Sequence, residues 1–272
     1  MLKELSPADQ VFSAFRNTIK SFDQLKKLRL NWIYAVPLLL YLALFAMGIA
    51  LTNDLHEMVI VQLEQWLGSA EHYDGIMSFL FTATSVLTWI IIKLTLFILF
   101  GILSGYLTLV ALSPLLTYVS EKVAQNLTSS HTRLSVVKFF KDMFRAIIIA
   151  MRNATIQLGW TLLILILSFV PVVNLFAAPL LFLITAYFYG FSFIDYYLEI
   201  NGFKLSESVV QVRRMKWLAI SLGGLFLMLN MIPYFGTLLS SIFIFHLVTA
   251  ATISMHEAPK EVFVTADKEE LD

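Results

Sequence analysis

Apolar and polar positions change period several times along the chain, and each change predicts an element. Near the start, Val11, Phe12, Phe15, Ile19 and Phe22 recur at spacings of three and four, interleaved with Arg16 and Lys20. One apolar stripe under a basic face predicts a helix lying in a membrane interface, its Phe side chains toward the acyl chains and its cations near anionic headgroups. An amphipathic helix packed on the base of the same protein fits the stripe as well. Ser6-Pro7-Ala8-Asp9 supplies its start: a capping hydroxyl, a first-turn proline and an acid near the positive helix end. Trp32 to Thr52 is then free of charge, and about 20 such residues span roughly 30 Å, the thickness of the hydrocarbon core. A second apolar run, from about Ile76 to Val119, exceeds what a bilayer needs, so that helix tilts strongly or projects beyond it.

Two further apolar blocks are each interrupted near the middle: Ile156 to Tyr197 by Val170-Pro171-Val172-Val173-Asn174, and Trp217 to Met255 by Ile232-Pro233-Tyr234-Phe235-Gly236. Proline lacks an N–H and disfavours helix at the residue before it, so each interruption ends one helix and begins another, with Asn174 or Gly236 supplying the turn. The arms before the prolines, about Ile156–Val170 and Trp217–Ile232, are short for a full crossing, which predicts hairpins that dip into the bilayer and return. The two prolines stand 62 positions apart in a helix–Pro–helix frame, a weak internal repeat.

Composition agrees with the pattern: of 272 residues, 58% are apolar and 14% charged, where a soluble domain carries about 25% charged residues. The first 30 residues lack the apolar core of a secretory signal, so the N-terminus is expected to be retained. Lys and Arg number six before Asn31, none in 53–77, six in 120–155 and four in 199–216. By the positive-inside rule, both termini and both later connections are cytoplasmic and the acidic 53–77 loop lies on the far side. Two crossings with two returning hairpins satisfy this count, as do six full crossings. The organisation expected is a single membrane domain over 1–256, with a cytoplasmic amphipathic helix in 1–30. Within it, 32–52 and about 76–119 are transmembrane and 156–197 and 217–255 are hairpins, and an acidic disordered tail follows in 257–272. The fold class is all-α and integral to the membrane.

Candidate chemistry is narrow. The chain has no cysteine, and its histidines His56, His72, His131, His246 and His256 show no metal-binding spacing. With no hydrolase or phosphate-loop motif either, no enzyme, metal or cofactor is expected; no nucleic-acid partner is expected, although the balanced charge itself says nothing about one. His246, alone in an apolar helix, reads as a hydrogen-bonded packing residue or as the lining of a polar path. Lys93, mid-run, either snorkels to the outer headgroups or faces a central aqueous path. Asp195 and the Arg213-Arg214 pair read as a cytoplasmic-edge ion pair, or as a gate in which Asp195 competes with an anion for Arg213. Small residues, among them Gly223, Gly224 and Gly236, permit close helix approach.

The run Ala111-Leu112-Ser113-Pro114-Leu115-Leu116-Thr117-Tyr118-Val119-Ser120-Glu121-Lys122-Val123 resembles the Pro-to-Glu segment ending the second long helix of the CysZ family of bacterial sulfate permeases. That family belongs to the larger one containing the etoposide-induced membrane protein. Lys141-Asp142-Met143-Phe144-Arg145, the turn from Val170-Pro171 through Asn174 to Pro179, Asp195-Tyr196 and Met231-Ile232-Pro233 fall in the family's order, and the resemblance runs from about residue 10 to 256. It implies two long transmembrane helices and two pairs of half-penetrating helices. Sulfate-transporting members carry Gly-x-Arg-Arg just before the first span; here, counting back from Pro37, Arg29 stands at the Gly position and Asn31 and Trp32 at the Arg positions. Arg29, Asn31 and helix-start N–H groups then hold the anion, joined by Gln125 across the helix packing. Glu121 falls at the family's membrane-edge Glu, with Gln125 one turn on. It takes Arg29 or Arg145 as partner, either as a fixed ion pair or as part of the pathway. The function implied is movement of a small inorganic oxyanion, sulfate by resemblance, through a homo-oligomer in the bacterial inner membrane; the alternative is a non-transporting membrane scaffold or biogenesis factor.

Overall fold

The computed structural model describes residues 5–40, 42, 79, 83, 86, 87, 109–128, 136–233 and 235–259. These are helical almost throughout, with no strand among them. The chain divides into two compact units, residues 1–37 with 106–272, and residues 38–105. In the second, the described residues are helical; Lys93 and the 53–77 loop lie outside the described residues.

Helix α1, Pro7–Lys27, starts as its sequence demands, with Ser6 Oγ accepting the Asp9 N–H at 3.1 Å and Pro7 in the first turn. The face it turns to the protein is its polar and small one: Gln10, Ala14, Asn17, Thr18, Ser21 and Leu25 are buried. Phe12, Phe15, Ile19 and Phe22 point outward, Ile19 being 73% exposed. The helix closes in a Schellman turn, Arg29 N–H to Lys26 O and Leu30 N–H to Leu25 O, with Arg29 left-handed at φ 55°. A 3₁₀ turn, Asn31–Tyr34, then leads into helix through Leu40.

Helix α2, residues 109–128, runs past the expected end at Val119, because Leu112, Leu116, Val119 and Val123 continue one buried stripe. Helices α3, Val136–Leu167, and α4, Pro171–Ile200, form the first proline hairpin. Its first arm is longer than the apolar run suggests. The charged half stays helical because its polar side chains find partners across the hairpin, as when Arg145 Nη2 donates to Asp195 Oδ1 at 2.8 Å. Asn174, expected in the turn, instead lies in the first turn of α4, where its N–H donates to Val170 O at 3.0 Å. Ser168 to Val170 make the turn, and Pro171, with φ already set for helix, starts the return.

After a turn through Gly202, helices α5, Leu205–Arg214, and α6, Lys216–Asn230, lead to the second hairpin and α7, Gly236–Glu257. At Gly236 a Cβ would lie 2.2 Å from the Asn230 carbonyl oxygen, so the chain doubles back where only glycine fits. The closest helix approach is α4 on α6: a Cβ on Gly190 would meet Ala219 O at 1.8 Å, and one on Gly223 would meet Ala186 O at 1.9 Å. Tyr189 and Phe193 close the same seam on Phe226.

Three described helical stretches are long and apolar enough to cross a membrane: Phe144–Leu167, Pro171–Ile200 and Gly236–Glu257. Only α7 among them is mostly enclosed by protein. Glu257, assigned from sequence to the acidic tail, instead closes α7. It pairs with Arg16 and with Lys20 at 2.9 Å and accepts from Asn17 Nδ2 at 3.1 Å, since α1 brings cations to the end of α7. Residues 260–272 lie outside the described residues.

Candidate functional site

Arg145 on α3 is the centre of the best-formed polar cluster. Its Nε and Nη2 donate to the two oxygens of Asp195 on α4 at 3.1 and 2.8 Å, a forked guanidinium–carboxylate contact. The remaining donors reach Phe203 O at 2.6 Å and Ser208 Oγ at 2.9 Å, and Glu199 Oε1 lies 3.6 Å away. Asp195 is buried, so removing its arginine would leave an uncompensated charge, a loss of about 3–5 kcal/mol. This corrects the expected pairing of Asp195 with Arg213 or Arg214. The long first arm carries Arg145 to Asp195, whereas Arg213 sits exposed in the last turn of α5 and Arg214 lends its carbonyl to Gln10. Leu109, Ala146, Ala150, Ser192, Asp195 and Tyr196 border a cavity of about 10 Å³. That is room for one water and not for a sulfate. The cluster is a structural anchor joining α3, α4 and α5.

Of the residues expected to hold an anion, Arg29 lies in the turn after α1 and Asn31 at the start of the apolar helix Asn31–Leu40. Arg29 and Asn31 are exposed, and their side chains make no hydrogen bond or ion pair with another described residue. Their donors remain available, a guanidinium at the Schellman turn and an amide at the start of the 3₁₀ turn. Gln125 is half-buried and Glu121 fully buried on α2. Trp32 packs on Tyr118 of α2, ring centroids 6.4 Å apart, and the Lys122 ammonium lies 5.8 Å from the Tyr118 ring. Lys122 thus adds a cation to this corner. The sequence did not single it out, since an i+4 Tyr–Lys pair on a membrane helix is ordinary until another aromatic is found against it.

The partners of three further polar groups, His246 among them, were not legible in the sequence because they are distant in the chain. Gln10 Oε1 accepts from Trp217 N and Leu218 N while its Nε2 donates to Arg214 O, stitching α1 to the α5–α6 junction. Ser120 Oγ and Thr252 Oγ1 share a hydrogen bond of 2.8 Å between α2 and α7. His246 uses both ring nitrogens, Nδ1 with Ser21 Oγ at 3.0 Å and Nε2 with Tyr34 Oη at 3.1 Å, and Phe22 stacks on its ring. Three segments therefore meet on one imidazole.

Comparison with known proteins gives a family and two relatives. The family model described as "Sulfate transporter CysZ/Etoposide-induced protein 2.4" matches residues 17–240. A protein named Sulfate transporter CysZ from Pseudomonas fluorescens (strain SBW25) is 34% identical over 74 residues, 27% of this chain and 29% of that protein. Its namesake in Pseudomonas fluorescens (strain Pf0-1) is 34% identical over 74 residues, 30% of its own length. The matched segment is thus less than a third of either relative.

Proposed function

The chain belongs to the family described as Sulfate transporter CysZ/Etoposide-induced protein 2.4, and from that premise we propose that this multi-pass membrane protein moves a small inorganic oxyanion, sulfate first, across the bacterial inner membrane. The observation that carries the reading is the family match over residues 17–240, which takes in the second half of α1, Arg29 and Asn31, the first hairpin and the start of the second. Both termini face the cytoplasm in this reading, on the distribution of Lys and Arg.

Arg29 meets the anion first. It is the exposed cation at the turn before the first span, and its guanidinium offers two parallel donors to a tetrahedral oxyanion. Asn31 completes the shell on the same segment, Gln125 joins from α2, and Lys122 raises the local positive potential. Glu121 and Lys93 line or flank the path, while the Arg145–Asp195 pair holds the hairpin on which the path is built. The assembly is a homo-oligomer, and the lipid bilayer and the anion are its partners.

Radiolabelled sulfate flux into proteoliposomes tests this. Wild-type protein is expected to carry sulfate above protein-free vesicles, with Arg29→Ala reducing the flux and Arg29→Lys reducing it less. Equal flux in wild type and Arg29→Ala would leave transport standing and remove Arg29 from the site. Absence of sulfate, phosphate and chloride flux in both would overturn transport in favour of a scaffold.

A further inference from the structure

His246 lies near the middle of α7, a helix apolar enough to span a membrane, and is only 5% exposed. A polar ring is tolerated there when both nitrogens are satisfied, and its partners fix which nitrogen carries the proton. Ser21 Oγ donates its own hydrogen to Thr18 O at 2.6 Å, so toward the imidazole it accepts, taking the Nδ1–H at 3.0 Å. Nε2 is thereby left as the acceptor and takes the Tyr34 O–H at 3.1 Å. Phe22 stacks on the ring with centroids 3.9 Å apart and Phe243 lies against it at 5.3 Å, so the ring has little freedom to turn.

The two hydrogen-bond partners of this ring flank the segment that carries Arg29 and Asn31. Ser21 lies near the end of α1, and Tyr34 ends the 3₁₀ turn. Between them Arg29 is left-handed, a conformation that a side chain other than glycine keeps only where its surroundings impose it. Helix α1 has other ties to α7, such as Asn17 Nδ2 to Ser254 Oγ at 2.9 Å. For the 3₁₀ turn, Tyr34 Oη supplies the only side-chain hydrogen bond among the described residues. Ile33 is buried, but apolar burial is non-directional and sets no orientation. Releasing Tyr34 therefore frees the far flank of the turn while α1 stays docked.

We propose that His246 is a positioning residue for the anion site, clamping both flanks of the Arg29–Asn31 turn through Ser21 and Tyr34 so that guanidinium and amide are presented in one geometry. The inference rests on the reading of Arg29 and Asn31 as anion ligands, and His246 acts through Tyr34 rather than on the anion.

The test uses the full-length protein in proteoliposomes. Sulfate flux is read as KM and maximal rate, and backbone amide exchange over residues 28–34 is followed by mass spectrometry in the same vesicles. Tyr34→Phe keeps the ring and loses the hydroxyl; it is expected to raise KM severalfold with the maximal rate little changed, and to speed exchange at 28–34 about tenfold while α7 exchanges as in wild type. His246→Asn keeps a donor toward Ser21 and nothing that reaches Tyr34, and should behave alike. His246→Gln carries an amide oxygen out toward Tyr34 and should recover most of the loss. A merely structural histidine would lower the maximal rate through lost folded protein and leave KM alone. An unchanged KM for Tyr34→Phe in a protein that carries sulfate overturns the positioning role, and so does unchanged exchange at 28–34. Absence of flux in wild type overturns the transport reading instead; the exchange arm then decides the clamp, faster exchange supporting it and wild-type exchange overturning it. Should the histidine variants fail to fold, Tyr34→Phe decides by itself.

Discussion

Arg29 carries two demands that pull against each other. The Schellman turn needs a left-handed residue after α1, a conformation glycine takes freely and a side chain takes at a cost of about 1 kcal/mol. The resemblance puts glycine at this position in sulfate-transporting members, and the backbone here explains why. On that resemblance, which sets Asn31 and Trp32 at the two Arg positions, the guanidinium at the turn is that of Arg29. Arg29→Gly is therefore expected to raise stability by about 1 kcal/mol while lowering sulfate affinity, whereas Arg29→Ala lowers affinity without the gain. Thermal unfolding in detergent, paired with sulfate titration, separates the two demands; a lower melting temperature for Arg29→Gly would show that the side chain supports the fold.

Among the elements, α1 reverses the usual arrangement of an amphipathic helix. Its polar face has partners, Asn17 and Ser13 on Ser254, Gln10 on α6 and Ser21 on His246, so hydrogen bonding docks it while the phenylalanines remain outside. Those rings are expected in the acyl boundary. Phe15→Trp should accordingly fluoresce at short wavelength in liposomes and be quenched by brominated lipid; emission typical of water would refute that placement. The α4–α6 seam offers a contrast between two glycines. Gly223→Ala drives a methyl into the Ala186 carbonyl and should destabilise the protein by about 1–3 kcal/mol. Gly159→Ala in α3 meets nothing within 4 Å and should stabilise by about 0.5–1 kcal/mol. Similar melting temperatures for the two variants would contradict the close approach.

For the whole molecule, the open question of depth turns on the hairpin tips. Phe169 is 90% exposed and Val172, Leu175 and Phe176 stand out beside it, while Met231 and Phe235 do the same at the other tip. Such residues at a loop end belong in hydrocarbon, so the tips are expected to stop inside the bilayer although α3 and α4 are long enough to cross. The chain's lack of cysteine makes this direct to check. Single cysteines at Phe169 and Phe235 should resist a membrane-impermeant maleimide from outside, while cysteines at Ser69 and Ser135 should label from opposite faces. Ready labelling of either tip would mean that its hairpin crosses; labelling of Ser69 and Ser135 from one face would refute the orientation.

The sequence by itself determined the membrane class, the start of α1 and the two proline breaks, because each depends on local properties: hydropathy, charge and the missing proline N–H. It was also enough to mark Asp195 and Glu121 as charges needing partners near apolar helices, with Arg145 a candidate for Glu121. Which partner each takes was decided only by the tertiary structure. Arg145 and Asp195 are 50 positions apart, Ser21 and His246 are 225 apart, and Lys20 and Glu257 are 237 apart. No periodicity encodes such pairings, because they follow from which helix faces pack. The inward polar face of α1 is of the same kind: the stripe shows that a helix has two faces, and only the hydroxyls and amides waiting on α6 and α7 decide which one is covered.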